Sequence, residues 1–285
     1  MSPRSRLTLC LCLSLLGCSA ARSSSTVREL PLASRVETPG LLFEVRFSDG
    51  DHEEADRIGR CLLNAGPRLA RWGDFKSGVV VRVYPSHDAL EAALSLRGYS
   101  WLRAWAWADQ IALQSPRTWS RHLVPDRELD ELVTHELTHA LMYQLIDPGP
   151  GARPAPEPPL WFREGLASVT AGQGHRRWGP AELAEWVARH PGVDLLRPEP
   201  ETYRTEKEAV YGAAHRAFEL LLRTSGETAV REILRRTREG AQFEAAFAAS
   251  VGRTISTFEA ESVRAGFDAA AVAGRGASAS GAGGP

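Results

Sequence analysis

The sequence predicts an α+β fold: a small N-terminal sheet with helices, one long central helix and an all-helical C-terminal half. Three observations predict it. Short alternating or β-branched runs at 41–47, 79–84 and 110–114 are bounded by Gly, Pro, Asp or Ser. Helical patterns lie between these runs and fill the chain beyond Gly179-Pro180. The segment 127–146 is apolar round nearly its whole circumference, as a buried helix must be. At 285 residues, 43% hydrophobic and 24% charged, the chain has an ordinary globular composition and room for one large or two small domains. A formal net charge of -1, with no basic stretch beyond arginine pairs, argues against nucleic acid as a partner.

Residues 1–18 read as a targeting segment, with Arg4 and Arg6 ahead of a short apolar run from Leu7 to Leu16. That run is too short to span a bilayer as a mature helix. Its end, Leu15-Leu16-Gly17-Cys18, resembles the lipobox of bacterial lipoproteins, which implies lipidation of Cys18 as the first residue of the mature chain. Ser19 in place of Asp implies the outer membrane, so the expectation is an envelope protein facing the periplasm and held to the membrane by its lipid. An ordinary secretory signal with a soluble product is the rival reading. Cys10 and Cys12 leave with the signal and Cys18 takes the lipid, so Cys61 alone remains and no internal disulfide can form. Cys61 lies in helical register with Ile58, Leu62, Ala65 and Leu69, which suits a buried small hydrophobe.

Residues 19–40, rich in Ser, Arg and Pro without a period, read as a tether. An α/β half is expected over 41–146. Leu41–Phe47 alternates and is stopped by Ser48-Asp49-Gly50; a helix from about 51 to 71 follows, with Asp51 as N-cap. Val79–Tyr84 reads as a buried strand, and Ser86 caps the next helix, placing His87 exposed in its first turn. Trp101, Trp105 and Trp107 read as packing residues ahead of a strand over Gln110–Gln114. His122 lies in the loop 117–126, where nothing specific assigns it a role. The prolines and glycines of 147–159 forbid a helix, so this is an exposed connector. A helical half is expected over 160–267, with helices near 160–169, 180–190, 205–224, 226–238, 241–250 and 254–266. Residues 268–285, largely Ala, Gly and Ser, read as a disordered tail.

Chemistry concentrates in the central helix. Residues 135–139 are His-Glu-Leu-Thr-His. Four residues make about one helical turn, so His135 and His139 project from one face and can share one metal ion. Glu136 sits about 100° round, beside such an ion, where a carboxylate can take a proton from its water. Two imidazoles and a carboxylate buried in an apolar helix cost several kcal/mol unless satisfied, which a metal ion and water would do. A core helix with hydrogen-bonded histidines is the competing reading. A catalytic zinc needs a third ligand. The metzincin extension is excluded by Met142 and Leu145, and Asp147 lies about 12 Å further along the axis. Glu164 lies on the helix after the connector, which can fold back beside the first.

Trp161-Phe162-Arg163-Glu164-Gly165-Leu166-Ala167 resembles the W-x-x-E-G-L-A motif of the gluzincin metallopeptidases, in the broad peptidase MA-like superfamily. Only this motif and His135–His139 are specific, although the order of elements and the segment from Gly252 to Phe258 are also similar. The resemblance implies a zincin-like fold and one zinc ion per chain, held by His135, His139 and Glu164, with Glu136 as general base. It implies Gln110, Ile111, Ala112, Leu113 and Gln114 as the edge strand that pairs with substrate backbone. It implies an oxyanion donor from the helical half, for which Tyr211 is the first candidate and His215 the second, and it puts Ser168 at a position that orients a ligand histidine. The implied activity is hydrolysis of peptide bonds in a peptide or protein substrate. A catalytically inactive relative acting as an envelope binding protein, and a zinc hydrolase of non-peptide substrates, are the alternatives.

Overall fold

The computed structural model describes residues 30–38 and 41–260. The signal and lipobox residues, the tail from 268 and the end of the helix expected over 254–266 lie outside the described residues. Five strands form one sheet: β1 (Leu32–Thr38), β2 (Leu41–Phe47), β3 (Val79–Tyr84), β4 (Ala104–Ala106) and β5 (Gln110–Gln114), in spatial order β1-β2-β3-β5-β4. β2, β3 and β5 run parallel, and β1 and β4 flank them antiparallel.

Two of these strands depart from expectation. β1 occupies part of the stretch read as a tether: Leu32 and Val36 pack on the core, while Ser34 and Thr38, on the same face, dilute the apolar alternation. β4 closes the far side of the sheet, so β5 is an interior strand bonded to β3 and β4. The edge strand expected at Gln110–Gln114 is therefore corrected to Ala104–Ala106.

Helix α1 (His52–Leu69) crosses from β2 to β3 and α2 (His87–Leu94) leads on from β3, as parallel neighbours require. The odd-numbered apolar residues of β2, β3 and β5, from Phe43 to Leu113, face a single large core. Tyr84 and Ala112 face the other way, under Leu90 of α2. Ser86 caps α2 by accepting from Ala89 N at 3.2 Å. Asp51 stands at the N-cap of α1, as expected, but its side chain makes no capping bond. Its fully buried carboxylate accepts instead from Ser115 Oγ and Arg117 Nε, both at 2.6 Å, tying the helix start to the end of β5. His87 is half-buried rather than exposed, with Nδ1 3.3 Å from Gln114 Oε1.

The central helix α3 (Asp126–Ile146) has every residue from Val133 to Met142 buried. After the connector come α4 (Leu160–Thr170), α5 (Pro180–Arg189), α6 (Pro200–Thr205), α7 (Lys207–Arg238), α8 (Phe243–Val251) and the short α9 (Ile255–Thr257). Gly226, at φ 75° and ψ 172°, interrupts α7 where the sequence separates two helices; a left-handed residue there favours glycine. Gly165 has a different reason. A Cβ on it would collide with Ala214 O and Phe218 Cβ, so its absence lets α4 lie directly on α7. Trp161 and Phe162 are fully buried on either side, against Phe258 and Phe218.

Candidate metal centre

The packing of α3 on α4 brings His135, His139 and Glu164 together. Their ligand atoms lie within 4.8 Å of one another, and all three residues are buried. His135 Nε2 is 3.2 Å from Glu164 Oε2 and 3.2 Å from His139 Nε2, and His139 Nε2 is 3.5 Å from Glu164 Oε2. Around a tetrahedral zinc with bonds of about 2.0–2.2 Å, donor atoms stand about 3.3–3.6 Å apart. The triangle matches that spacing within a few tenths of an ångström.

Protonation agrees with the geometry. Gln173 Oε1 accepts from an Arg177 guanidinium nitrogen, which can only donate, so the amide orientation is fixed. His135 Nδ1 lies 3.2 Å from that same oxygen and must carry its proton there. Burial also pushes His135 down to about 4, against the pull of Glu164, so its Nε2 offers a bare lone pair to the triangle. Burial disfavours charge on His139 too, but the Glu164 carboxylate outweighs it and raises His139. Burial likewise opposes charge on Glu164, and the charge on His139, with the hydrogen bond that imidazole donates, holds it well below the usual carboxylate range. Two imidazole nitrogens and a carboxylate oxygen aimed at one point form a donor set that fits a divalent cation.

Glu136 follows His135 and is 7% exposed. Among the described residues no side chain hydrogen-bonds or ion-pairs with it. Burial raises it to about 7; the charge on His139 lowers it in part and Glu164 adds to the rise. A carboxyl poised there can accept and return a proton near neutrality.

Tyr211, at the first candidate position, reaches the centre: its ring centroid is 6.4 Å from that of His135. The Arg177 guanidinium lies 4.9 Å over the same ring. Burial and the Glu164 charge raise its hydroxyl well above the ordinary tyrosine value, so it remains a neutral donor. His215 is not brought to the triad. It is 2% exposed, with Nδ1 2.9 Å from Ser168 Oγ, and Nε2 3.3 Å from Glu219 Oε1 without hydrogen-bond alignment. No hydrogen bond, ion pair or ring contact joins it to His135, His139 or Glu164 among the described residues. Ser168 correspondingly serves His215 and Arg177 Nε, at 3.1 Å, rather than a ligand histidine. His122 is exposed in its loop.

Several residues around the centre have no local signal in the sequence. Gln173, which orients His135, sits in a 3₁₀ turn (Gln173–Arg176) after α4. The buried Glu131 of α3 fixes that turn through Arg176 Nη2, at 3.0 Å. On the other side, Arg163 Nη1 donates to Tyr143 Oη at 3.2 Å and pairs with Glu157 at 2.8 Å, docking the connector onto α3 and α4. Tyr203 of α6 places its hydroxyl 3.1 Å from that of Tyr211.

No family model and no curated protein matches the sequence. Among solved structures, the chain is similar to an M1 zinc metallopeptidase from Deinococcus radiodurans (14% identity, TM-score 0.36, covering 84% of this chain and 51% of that one). A variant of a two-domain M1 zinc metallopeptidase bound to L-arginine is similar at 15% identity and TM-score 0.37, over 85% of this chain and 50% of that one. An aminopeptidase N family protein from Idiomarina loihiensis follows at 12% identity and TM-score 0.38, over 79% and 43%. The chain spans about half the length of these structures, and at such identities the likeness is remote.

Proposed function

We propose that the chain is a zinc-dependent metallopeptidase. The observation that carries this reading is the convergence of His135, His139 and Glu164 at tetrahedral donor spacing, with the Glu136 carboxylate beside them. The two motifs that resemble those of gluzincins supply exactly these four residues, from two separate helices. A bound zinc supplies Lewis acidity, lowering the pKa of a water and polarising a substrate carbonyl.

The remaining work falls to the chain itself. Glu136 takes the proton of the attacking water and returns it to the leaving amine. Tyr211, kept neutral, donates to the oxyanion. β4 supplies the ledge for substrate backbone. Arg103 O accepts from Gln114 N and Trp107 N donates to Gln110 O, so alternation turns the amides and carbonyls of Ala104 and Ala106 away from β5. An extended peptide can pair with them.

Metal analysis and peptide-library digestion, with and without a chelator, test the proposal. Glu136→Gln should keep its zinc and lose cleavage; His139→Ala should lose both. Unchanged zinc in His139→Ala overturns the ligand assignment, and a zinc-loaded wild type that cleaves no peptide overturns the activity.

The envelope location is part of the same proposal. It rests on Leu15-Leu16-Gly17-Cys18, and palmitate labelling that disappears in Cys18→Ala tests it. No helix among the described residues is long and apolar enough to cross a membrane.

A further inference from the structure

Tyr203 and Tyr211 come from different helices, α6 and α7, yet their hydroxyl oxygens lie 3.1 Å apart. Trp101, on the lead-in to β4, holds both rings edge-on, with centroids 5.8 Å and 6.1 Å away. Its own Nε1 donates to Arg204 O at 3.1 Å, anchoring the indole to the end of α6. The three aromatics form one unit joining the sheet to both helices beside the candidate metal centre.

A phenolic hydroxyl has one proton to donate and lone pairs with which to accept. Tyr211 is the member whose ring contacts His135, and the Arg177 guanidinium lies over the same ring. If Tyr211 spends its proton on a substrate oxyanion, the bond between the tyrosines can persist only with Tyr203 as donor. We infer that Tyr203 is a positioning residue: its hydroxyl donates to Tyr211, fixes the direction of the Tyr211 proton and strengthens it as a donor through hydrogen-bond cooperativity. This rests on the peptidase reading and deepens it.

The test is a double-mutant cycle on the full chain loaded with zinc. Tyr211→Phe should lower kcat by about 10²–10³-fold, the usual effect of losing one oxyanion donor. Tyr203→Phe should lower kcat about tenfold with KM and zinc content unchanged, the scale of one hydrogen bond. The double variant should be no slower than Tyr211→Phe alone, because Tyr203 acts only through Tyr211. Carbon-13 labelling of the tyrosine Cζ atoms gives a readout free of activity: Tyr203→Phe should shift the Tyr211 resonance, and Tyr211→Phe that of Tyr203. Losses that multiply in the double variant overturn the inference while leaving a working peptidase. So does a raised KM at unchanged kcat, or a Tyr211 resonance indifferent to Tyr203. A zinc-loaded wild type without peptidase activity overturns the parent reading, and the kinetic part of this one with it.

Discussion

His135 Nδ1 and Gln173 Oε1 lie 3.2 Å apart, and this contact dictates which face of the imidazole is bare. Gln173→Leu removes the acceptor and frees the ring to change tautomer. Zinc affinity should fall about 10–100-fold, the usual cost of losing the hydrogen-bond partner of a ligand histidine. Competition against a chromogenic chelator measures it, and an unchanged affinity would remove Gln173 from the account.

Gly165→Ala sets helix propensity against packing. In an exposed helix the change gains up to about 1 kcal/mol. Here the new methyl collides with the Ala214 carbonyl and the Phe218 side chain, and overpacking of this kind costs about 1–3 kcal/mol. The net expectation is a lower denaturation midpoint, together with weaker zinc binding as α4 shifts with its Glu164.

The motif residues were legible because their signal is local. His135 and His139 obey the spacing of one turn, and Glu164 is embedded in a recognisable heptapeptide. Gln173, Arg177 and Tyr203 escape notice because polar contacts between distant segments leave no period in the chain. The same limit explains the strands. β1 is masked by Ser34 and Thr38 on its inner face, and β4 is only three residues long inside a tryptophan-rich stretch. Strand order is a property of the whole sheet, so no local pattern places β5 inside and β4 at the edge. His215 shares a helix face with Tyr211, but Ser168, four residues after Glu164, captures it.

His215 makes the fold sensitive to acid. Burial pushes its pKa down to about 4 from 6.5, Glu219 opposing that shift while Arg216 and Arg177 reinforce it. The folded state therefore binds this proton less tightly than the unfolded state. Its contribution is complete above pH 6.5 and is lost as pH falls towards 4, with an upper bound of about 3 kcal/mol. Unfolding free energies at pH 7 and pH 4.5 should show a smaller loss in His215→Gln than in the wild type.

Cys61 should behave as an inert side chain. It is 5% exposed, and burial, with help from Asp130 and Asp126, pushes its thiol up to about 12. The thiolate is the reactive form. A disulfide reagent at pH 8 should leave the native protein unlabelled over the time in which it labels the denatured chain completely. Prompt native labelling would contradict the packing of α1.

The brevity of β4 bears on what the proposed enzyme could attack. Two alanines offer an incoming chain four main-chain groups and almost no side-chain grip. A polypeptide must arrive already stretched out to zip onto so small a perch, because too little is gained there to unravel a helix or peel a strand from its neighbours. For such an enzyme, loose ends and unstructured stretches of other proteins would be the natural quarry, and intact domains would pass by uncut.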